Sequence, residues 1–194
     1  MTDDSTQIRQ LDLGARYLGD DSTRFRLWAP RAHDVAVRLP GTAPRLVPMK
    51  PQDFGYFEAV VSQVRPGDRY LYRLDDRIER PDPASQFQPE GVHAASAVVD
   101  HSAFHWTDRG WRGLPLEELI IYELHVGTAT PAGTFEAAIP LLDYLKHDVG
   151  ITAIELMPVA QFPGRRNWGY DGVYPYAPQS SYGGPQGLKR LVDA

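Results

Sequence analysis

Residues 119–159 read LIIYELHVGTATPAGTFEAAIPLLDYLKHDVGITAIELMPV, and this stretch predicts the architecture of the C-terminal half. The runs of bulky apolar residues at its two ends are typical of buried strands. Between them, residues 134–150 have helical spacing, with Thr134 placed to cap the start and Gly150 placed to end it. Strand, helix and strand in this order predict a right-handed unit with parallel strands. Pro140 argues against one unbroken helix, because proline removes an amide donor and kinks the chain.

The C-terminal half lacks the partners that such a unit needs. Two parallel strands require covered faces and further strands on each side. The sequence continues with a long loop, predicted from Pro158 to Gly184, and with one helix whose first turn holds Pro185. Either residues 116–194 dock on something outside this sequence, or the 194 residues are a fragment of a longer chain. We prefer the fragment interpretation.

The N-terminal half has a different periodicity. Short runs alternate between apolar and polar residues and are broken by proline, glycine and aspartate, which is typical of antiparallel strands. Six or seven strands are predicted, at about 15–18, 24–29, 35–39, 45–48, 56–61, 69–74 and 97–100. This pattern predicts an immunoglobulin-like β-sandwich. The predicted domains are therefore a sandwich over 1–90, an ordered linker over 91–115 and a second domain over 116–194.

Composition limits the classes of partner. The chain is 42% hydrophobic, carries a formal net charge of -5 and contains no cysteine. Without basic stripes or long apolar runs, neither nucleic acid nor a membrane is an expected partner, and a neutral or small polar ligand fits better. The polar N-terminus lacks a secretory signal, so we expect a cytoplasmic protein. No pattern indicates an oligomeric state.

No metal or cofactor is predicted. The six histidines lack the helical spacing of a zinc motif, although two of them, His101 and His105, lie four residues apart. The sequence also lacks a phosphate-binding glycine fingerprint and a nucleophile elbow.

Residues 161–184, QFPGRRNWGYDGVYPYAPQSSYGG, carry the pattern most informative for function. This segment follows a predicted parallel strand, where α/β barrels place their active sites. Sugars have flat apolar faces fringed with hydroxyls, so a sugar site needs aromatic platforms beside polar groups. The segment offers both, as Trp168, Tyr170, Tyr174 and Tyr176 with Arg166, Asn167 and Asp171. The alternative interpretation is that these aromatic residues form the core of a large loop.

The sequence resembles the α-amylase superfamily of glycoside hydrolases. The resemblance lies in IIYELHVGTATPAGTF at 120–135, AIELMPVAQFPGRRNWGYD at 153–171 and the NWGYDGV motif that overlaps it. FRLWAP at 25–30 resembles the carbohydrate-binding module that precedes the barrel in branching enzymes. The resemblance implies that 116–194 is the start of a (β/α)8 TIM barrel containing its first two strands. Within the superfamily, HVGT and FPGRRNWGYDGV are most similar to the enzymes that act on maltooligosyltrehalose, and less similar to glycogen branching or debranching enzymes.

The resemblance also implies an activity and a substrate. It implies a retaining hydrolase that cuts the α-1,4 bond next to the terminal trehalose of maltooligosyltrehalose, using two carboxyl groups about 5 to 5.5 Å apart. The family's nucleophile, acid/base and third acidic residue lie on later barrel strands, so no catalytic residue is expected before Ala194 and this chain alone is expected to be inactive. Tyr170 matches the family tyrosine that stacks on the sugar ring, and Asp171 is expected to bind sugar hydroxyls. Trp168 and Asn167 are expected to support the loop.

Two other hypotheses remain at this point. Glu123 and Glu155 lie on adjacent predicted strands and resemble a catalytic pair, although we favour a polar cluster with His125 inside the barrel, because buried carboxylates need partners. Alternatively, the chain is a non-catalytic α-glucan-binding module. In that case exposed aromatic residues on the sandwich would bind glucan, the candidates being Trp28, Tyr56, Tyr70 and Tyr72.

Overall fold

The computed structural model describes residues 12–194. Residues 1–11, the polar start of the predicted sandwich domain, lie outside the described residues. The N-terminal part of the fold contains nine strands, which are β1 (Gly14–Gly19), β2 (Ser22–Trp28), β3 (Val35–Leu39), β4 (Arg45–Pro48), β5 (Lys50–Gln52), β6 (Tyr56–Ser62), β7 (Arg69–Leu74), β8 (Ile78–Arg80) and β9 (Ser96–Ala97).

These strands form two antiparallel sheets. The first sheet has the order β1-β2-β6-β5, and the second has the order β4-β3-β7-β8 with β9 added beside β7. Alternate residues of the central strands point into the space between the sheets, as in β3, where Val35, Val37 and Leu39 are buried. Two antiparallel sheets with apolar inner faces confirm the predicted β-sandwich.

Aromatic residues fill the centre of the sandwich. The Phe25 and Tyr70 rings lie 4.9 Å apart, edge to face, and Tyr72 lies 5.8 Å beyond Tyr70. Tyr70 and Tyr72 are each 1% exposed. The hypothesis that these two tyrosines bind glucan from the surface was therefore wrong, because the period of two places both on the buried face of β7.

The structure adds two strands that the sequence pattern did not indicate. β5 and β8 are three residues long and fully exposed, so neither alternates between apolar and polar. The strand predicted to reach Asp100 ends at Ala97. Short edge strands with two solvated faces carry no hydrophobic signal.

The C-terminal part contains four further strands and four helices. They are β10 (Ile121–Leu124), α1 (Val126–Ala129), α2 (Phe135–Ala138), α3 (Leu141–Tyr144), β11 (Ala153–Leu156), β12 (Ala160–Gln161), β13 (Tyr174–Pro178) and α4 (Gly184–Asp193). A π-helical turn at Leu145–Val149 continues α3, and 3-10 turns occur at Asp53–Gly55, Leu116–Glu118 and Ser180–Tyr182.

Strands β10 and β11 are parallel and hydrogen-bonded in register, with Glu123 opposite Glu155. The helical segment between them breaks at Pro140, as the missing amide donor predicts. The Thr134 hydroxyl accepts the Ala137 N–H at 3.2 Å and caps α2, and Gly150 ends the segment with φ of 84°. The predicted strand, helix and strand are therefore present, with the helix in pieces.

The segment after β11 is more ordered than a long loop. β12 and β13 pair as a short antiparallel hairpin, and α4 begins at Gly184. The prediction of one uninterrupted loop was wrong in this respect, because Tyr174–Pro178 contains two prolines, and prolines in a run argue against a strand.

Hydrogen bonds at two points join the linker to the C-terminal part of the fold. The Tyr174 hydroxyl donates to the Val92 carbonyl at 2.8 Å, and the Asp193 carboxylate accepts both the N–H and the hydroxyl of Thr107, at 2.6 and 3.0 Å. These bonds tie Val92 and Thr107, both within the linker, to β13 and to the end of α4. No helix within residues 12–194 is long and apolar enough to cross a membrane.

Candidate functional site

Two buried glutamines hold the segment that leads to the NWGYD motif at residues 167–171. The loop that contains this motif is called the NWGYD loop. Gln179 Oε1 accepts the Phe162 N–H at 3.0 Å, and its Nε2 donates to the Gly164 carbonyl at 3.0 Å. Gln161 Oε1 accepts the Ser180 N–H at 2.8 Å. Both side chains are buried, so these bonds replace water that the backbone would otherwise need. The glutamines fix the base of the loop to the β12–β13 hairpin.

His125 attaches the NWGYD motif to the end of β10. Its Nε2 lies 2.7 Å from the Asn167 carbonyl and 3.3 Å from the Tyr182 hydroxyl, and its Nδ1 lies 3.2 Å from the Thr128 hydroxyl. Because a carbonyl only accepts, Nε2 carries the proton. A Cβ at Gly127 would come within 2.9 Å of both the His125 ring and the Tyr182 hydroxyl, so the HVGT motif needs its glycine.

This position for His125 corrects the sequence-based interpretation. His125 was grouped with Glu123 and Glu155 in a polar cluster, but its ring instead points to the loop, with the Trp168 ring 5.5 Å away edge to face. Burial raises the pKa of the neighbouring Tyr182, so its hydroxyl stays protonated at neutral pH.

Hydrogen bonds between residues of the NWGYD motif also hold its conformation. The Asn167 side-chain oxygen accepts the Gly169 N–H at 2.7 Å, and its amide donates to the Asp171 carboxylate at 2.9 Å. Gly169 has φ of 99°, and a Cβ there would lie 2.1 Å from the Pro158 carbonyl oxygen. The turn at Gly169 therefore packs directly against the backbone that follows β11. Asn167 supports the loop, as the sequence led us to expect.

The aromatic residues of the loop divide into two groups. Tyr170, Trp168 and Tyr176 are 71%, 68% and 57% exposed. Tyr174 is buried against Val92, so its inclusion among the sugar platforms was wrong. Exposed rings on a braced turn, next to the carboxylate of Asp171, give stacking surfaces and an acceptor for hydroxyl groups. The two candidate binding residues, Tyr170 and Asp171, are adjacent and both accessible.

Glu123 and Glu155 lie side by side on β10 and β11. Both are exposed, and within residues 12–194 neither carboxylate forms an ion pair or a side-chain hydrogen bond. No group of three or more His, Asp or Glu side chains in the described range is placed to hold a metal ion.

The sequence pattern did not identify the glutamines or the role of His125. Gln161 and Gln179 lie at the ends of apolar runs, where glutamine is ordinarily a solvated residue. Their partners are backbone groups 17 to 19 residues away along the chain. Only the three-dimensional path of the hairpin makes those partners evident.

Comparison with known proteins adds a family context. Residues 12–85 match the sequence model described as Carbohydrate-binding module 48 (Isoamylase N-terminal domain). The chain is 50% identical over 176 residues to a malto-oligosyltrehalose trehalohydrolase of Saccharolobus solfataricus, covering 91% of this chain and 31% of that protein. It is 32% identical over 211 residues to the 1,4-alpha-glucan branching enzyme GlgB of Pseudoalteromonas atlantica, covering 96% of this chain and 28% of that protein.

A solved structure agrees with the sequence relatives. The crystal structure of a Salmonella typhimurium protein described as an alpha amylase superimposes with a TM-score of 0.87 at 46% identity, covering 94% of this chain and 30% of that one. The chain therefore spans about a third of the length of the proteins that it matches. The resemblance to the α-amylase superfamily is confirmed: over 91% of its length, this chain is similar to the N-terminal portion of a malto-oligosyltrehalose trehalohydrolase.

Proposed function

We propose that this chain is part of a glycoside hydrolase that cleaves the α-1,4 bond next to the terminal trehalose of maltooligosyltrehalose and releases trehalose. The observation that carries the proposal is the 50% identity to a relative of that name, over 91% of this chain. The exposed rings of Tyr170 and Trp168 on a braced turn support it, because they fit a carbohydrate ligand.

The proposal assigns residues 1–90 to the sandwich, 91–115 to the linker and 116–194 to the first part of a (β/α)8 barrel. The parallel register of β10 and β11 supports the barrel, because parallel strands are covered on both faces in such folds. Exposed apolar side chains on this unit, among them Ile121 and Val192, fit a surface that further barrel strands and helices cover.

In this proposal the 194 residues bind maltooligosyltrehalose but do not cleave its α-1,4 bond. Tyr170 stacks on the sugar ring whose bond is cleaved, and Asp171 accepts hydrogen bonds from sugar hydroxyls. The retaining mechanism needs a nucleophile and an acid/base about 5 to 5.5 Å apart, and both belong to strands beyond Ala194. The protein is expected to act in the cytoplasm on maltooligosyltrehalose or a related α-1,4-glucan.

A branching or debranching enzyme is the second candidate, supported by the 32% identity to the branching enzyme. Product analysis separates the two. The 194-residue chain and the longer protein that carries it are incubated with maltooligosyltrehalose and, separately, with the branched α-glucan amylopectin, and the products are resolved by anion-exchange chromatography.

Trehalose released by the longer protein alone is the expected result. New α-1,6 branches, or cleavage at existing ones, would replace the proposal with the second candidate. Release by the 194-residue chain would contradict the assignment of catalysis to later strands, and would make Glu123 and Glu155 the leading catalytic candidates.

A further inference from the structure

Segment 165–172, which carries the two most exposed rings of the NWGYD loop, has few attachments to the rest of the chain. In the described part of the chain, the bond between His125 and the Asn167 carbonyl is the one hydrogen bond that joins it to another segment. The ion pairs found there include none of its residues. The neighbouring hydrogen-bonded anchors lie beyond its two ends, at Gly164 and Val173. Between these ends, the position of the segment therefore depends on His125 and on packing.

The hydrophobic core fixes the position of His125. Val126, the next residue in the chain, is 1% exposed. The His125 ring lies 6.1 Å from the Tyr182 ring, edge to face. Tyr182 in turn packs edge to face against Phe135 and Phe162, with 5.9 and 5.7 Å between the ring centres. Edge-to-face packing orients aromatic rings, so the imidazole is a rigid extension of the core toward the NWGYD loop.

Two short steps lead from His125 to the exposed rings. Trp168 follows the bonded residue Asn167 directly, and its ring lies 5.5 Å from the His125 ring. The Asn167 side chain forms hydrogen bonds with the residues on either side of Tyr170. We define Trp168 and Tyr170 as the aromatic platform. Both of its members are therefore placed by the residue that His125 holds.

We propose that His125 is a positioning residue, which holds the aromatic platform where a sugar ring binds, through the hydrogen bond from its Nε2 to the Asn167 carbonyl. The ligand class rests on the proposed function, whereas the anchoring of segment 165–172 rests on the contacts. A misplacement of about 1 Å in a group that positions the substrate can lower a rate about a hundredfold. The role also explains the glycine of the HVGT motif, because a Cβ at Gly127 would occupy the space of the imidazole.

Two substitutions separate the two ring nitrogens of His125. Glutamine has as many bonds between Cβ and its amide nitrogen as histidine has between Cβ and Nε2, so His125→Gln keeps a donor for the Asn167 carbonyl. Asparagine is one bond shorter and places its amide nitrogen near the position of Nδ1, so His125→Asn loses this donor. Thr128→Val is the matched control, because it removes the hydroxyl 3.2 Å from Nδ1 and leaves the Nε2 bond in place.

Trehalose release by the longer protein that carries this chain measures the effect on the substrate. We expect His125→Asn to lower kcat/KM for maltooligosyltrehalose by about tenfold or more. His125→Gln and Thr128→Val should stay within about threefold of the parent. Because glutamine does not ionise, an active His125→Gln enzyme would also exclude an acid or base role for His125. Trp111→Ala, at a tryptophan that is 71% exposed in the linker, should leave kcat/KM unchanged.

Limited trypsin cleavage of the same protein measures the anchoring of segment 165–172 without substrate. Arg165 and Arg166 are exposed within the segment, and Arg112 is exposed in the linker. His125→Asn should raise the rate of cleavage after Arg165 and Arg166 by about threefold or more relative to cleavage after Arg112, whereas global unfolding would raise both rates. His125→Gln should keep the parent's ratio of the two rates.

The two assays separate the role of His125 from the proposed function. His125→Asn with the parent's kcat/KM and cleavage ratio would overturn the proposal, and so would equal losses in His125→Asn and His125→Gln. A parent that releases no trehalose would count against the proposed function, and the cleavage ratios would then decide the role of His125. A parent that releases trehalose, with one cleavage ratio in all variants, would overturn the role of His125 alone.

Discussion

Replacing Gln179 should loosen the loop that carries Tyr170 and Asp171. The Phe162 N–H is fully buried and its only acceptor in the described structure is Gln179 Oε1. Leaving that donor unpaired costs about 1 to 3 kcal/mol, and losing the bonds to Gly164 and Ser181 adds about 0.5 to 1.5 kcal/mol. We therefore expect Gln179→Ala to lower the free energy of unfolding by about 2 to 4 kcal/mol.

Urea unfolding and limited trypsin cleavage measure this effect. Trypsin cuts after Arg165 and Arg166, which are exposed in the same loop, so local opening should appear as faster cleavage there. Gln179→Met keeps the volume and should lose nearly as much stability, because the cause is hydrogen bonding. Gln186→Ala, at an exposed position of α4, is the matched control. A loss below about 0.5 kcal/mol in Gln179→Ala, with unchanged cleavage, would show that the Gln179 hydrogen bonds do not hold the loop.

Two further predictions concern backbone geometry and pH. Gly169→Ala should destabilise the chain and weaken glucan binding by the loop, because the added Cβ would lie 2.1 Å from the Pro158 carbonyl oxygen. Gly164 also has a positive φ, but an added Cβ there has no atom within 4 Å. Gly164→Ala should therefore lower the free energy of unfolding by only about 1 to 2 kcal/mol. Urea midpoints that do not differ between these two variants would contradict the clash. Burial raises the pKa of Asp82 from 3.8 to about 6. Hydrogen bonds from the Tyr70 hydroxyl and the Ala84 N–H lower this pKa, but by less than burial raises it. The folded chain therefore binds the proton of the Asp82 carboxyl more tightly than the unfolded chain does. The contribution of Asp82 to the free energy of unfolding falls by about 3 kcal/mol as the pH rises from about 4 to about 6. Asp82→Asn should flatten that part of the curve of unfolding free energy against pH, and an unchanged slope would refute the assignment.

The regular elements of the fold were accessible from the sequence because burial leaves a periodic signal. Alternation in β3 and in β7 identified the sandwich, and the apolar runs ending in Leu124 and Leu156 identified the parallel pair. The same alternation along β7 places Tyr70 and Tyr72 in the core. β5 and β8 had no such signal, because both of their faces meet solvent.

The site was predictable only in part. The motif around Tyr170 was recognisable, and its exposure agrees with a role in binding. The supporting contacts of His125, Gln161 and Gln179 join residues 17 to 57 positions apart, and side-chain bonds to distant backbone leave no local pattern.

The effect of Tyr170→Ala on trehalose release by the longer protein that carries this chain shows whether the NWGYD loop binds the substrate. If the NWGYD loop binds the sugar ring whose bond is cut, kcat/KM for maltooligosyltrehalose should fall about tenfold or more while the unfolding midpoint stays the same. Trp111→Ala should leave both unchanged. A Tyr170→Ala enzyme that releases trehalose at the parent's kcat/KM would show that Tyr170 does not bind the sugar ring whose bond is cut.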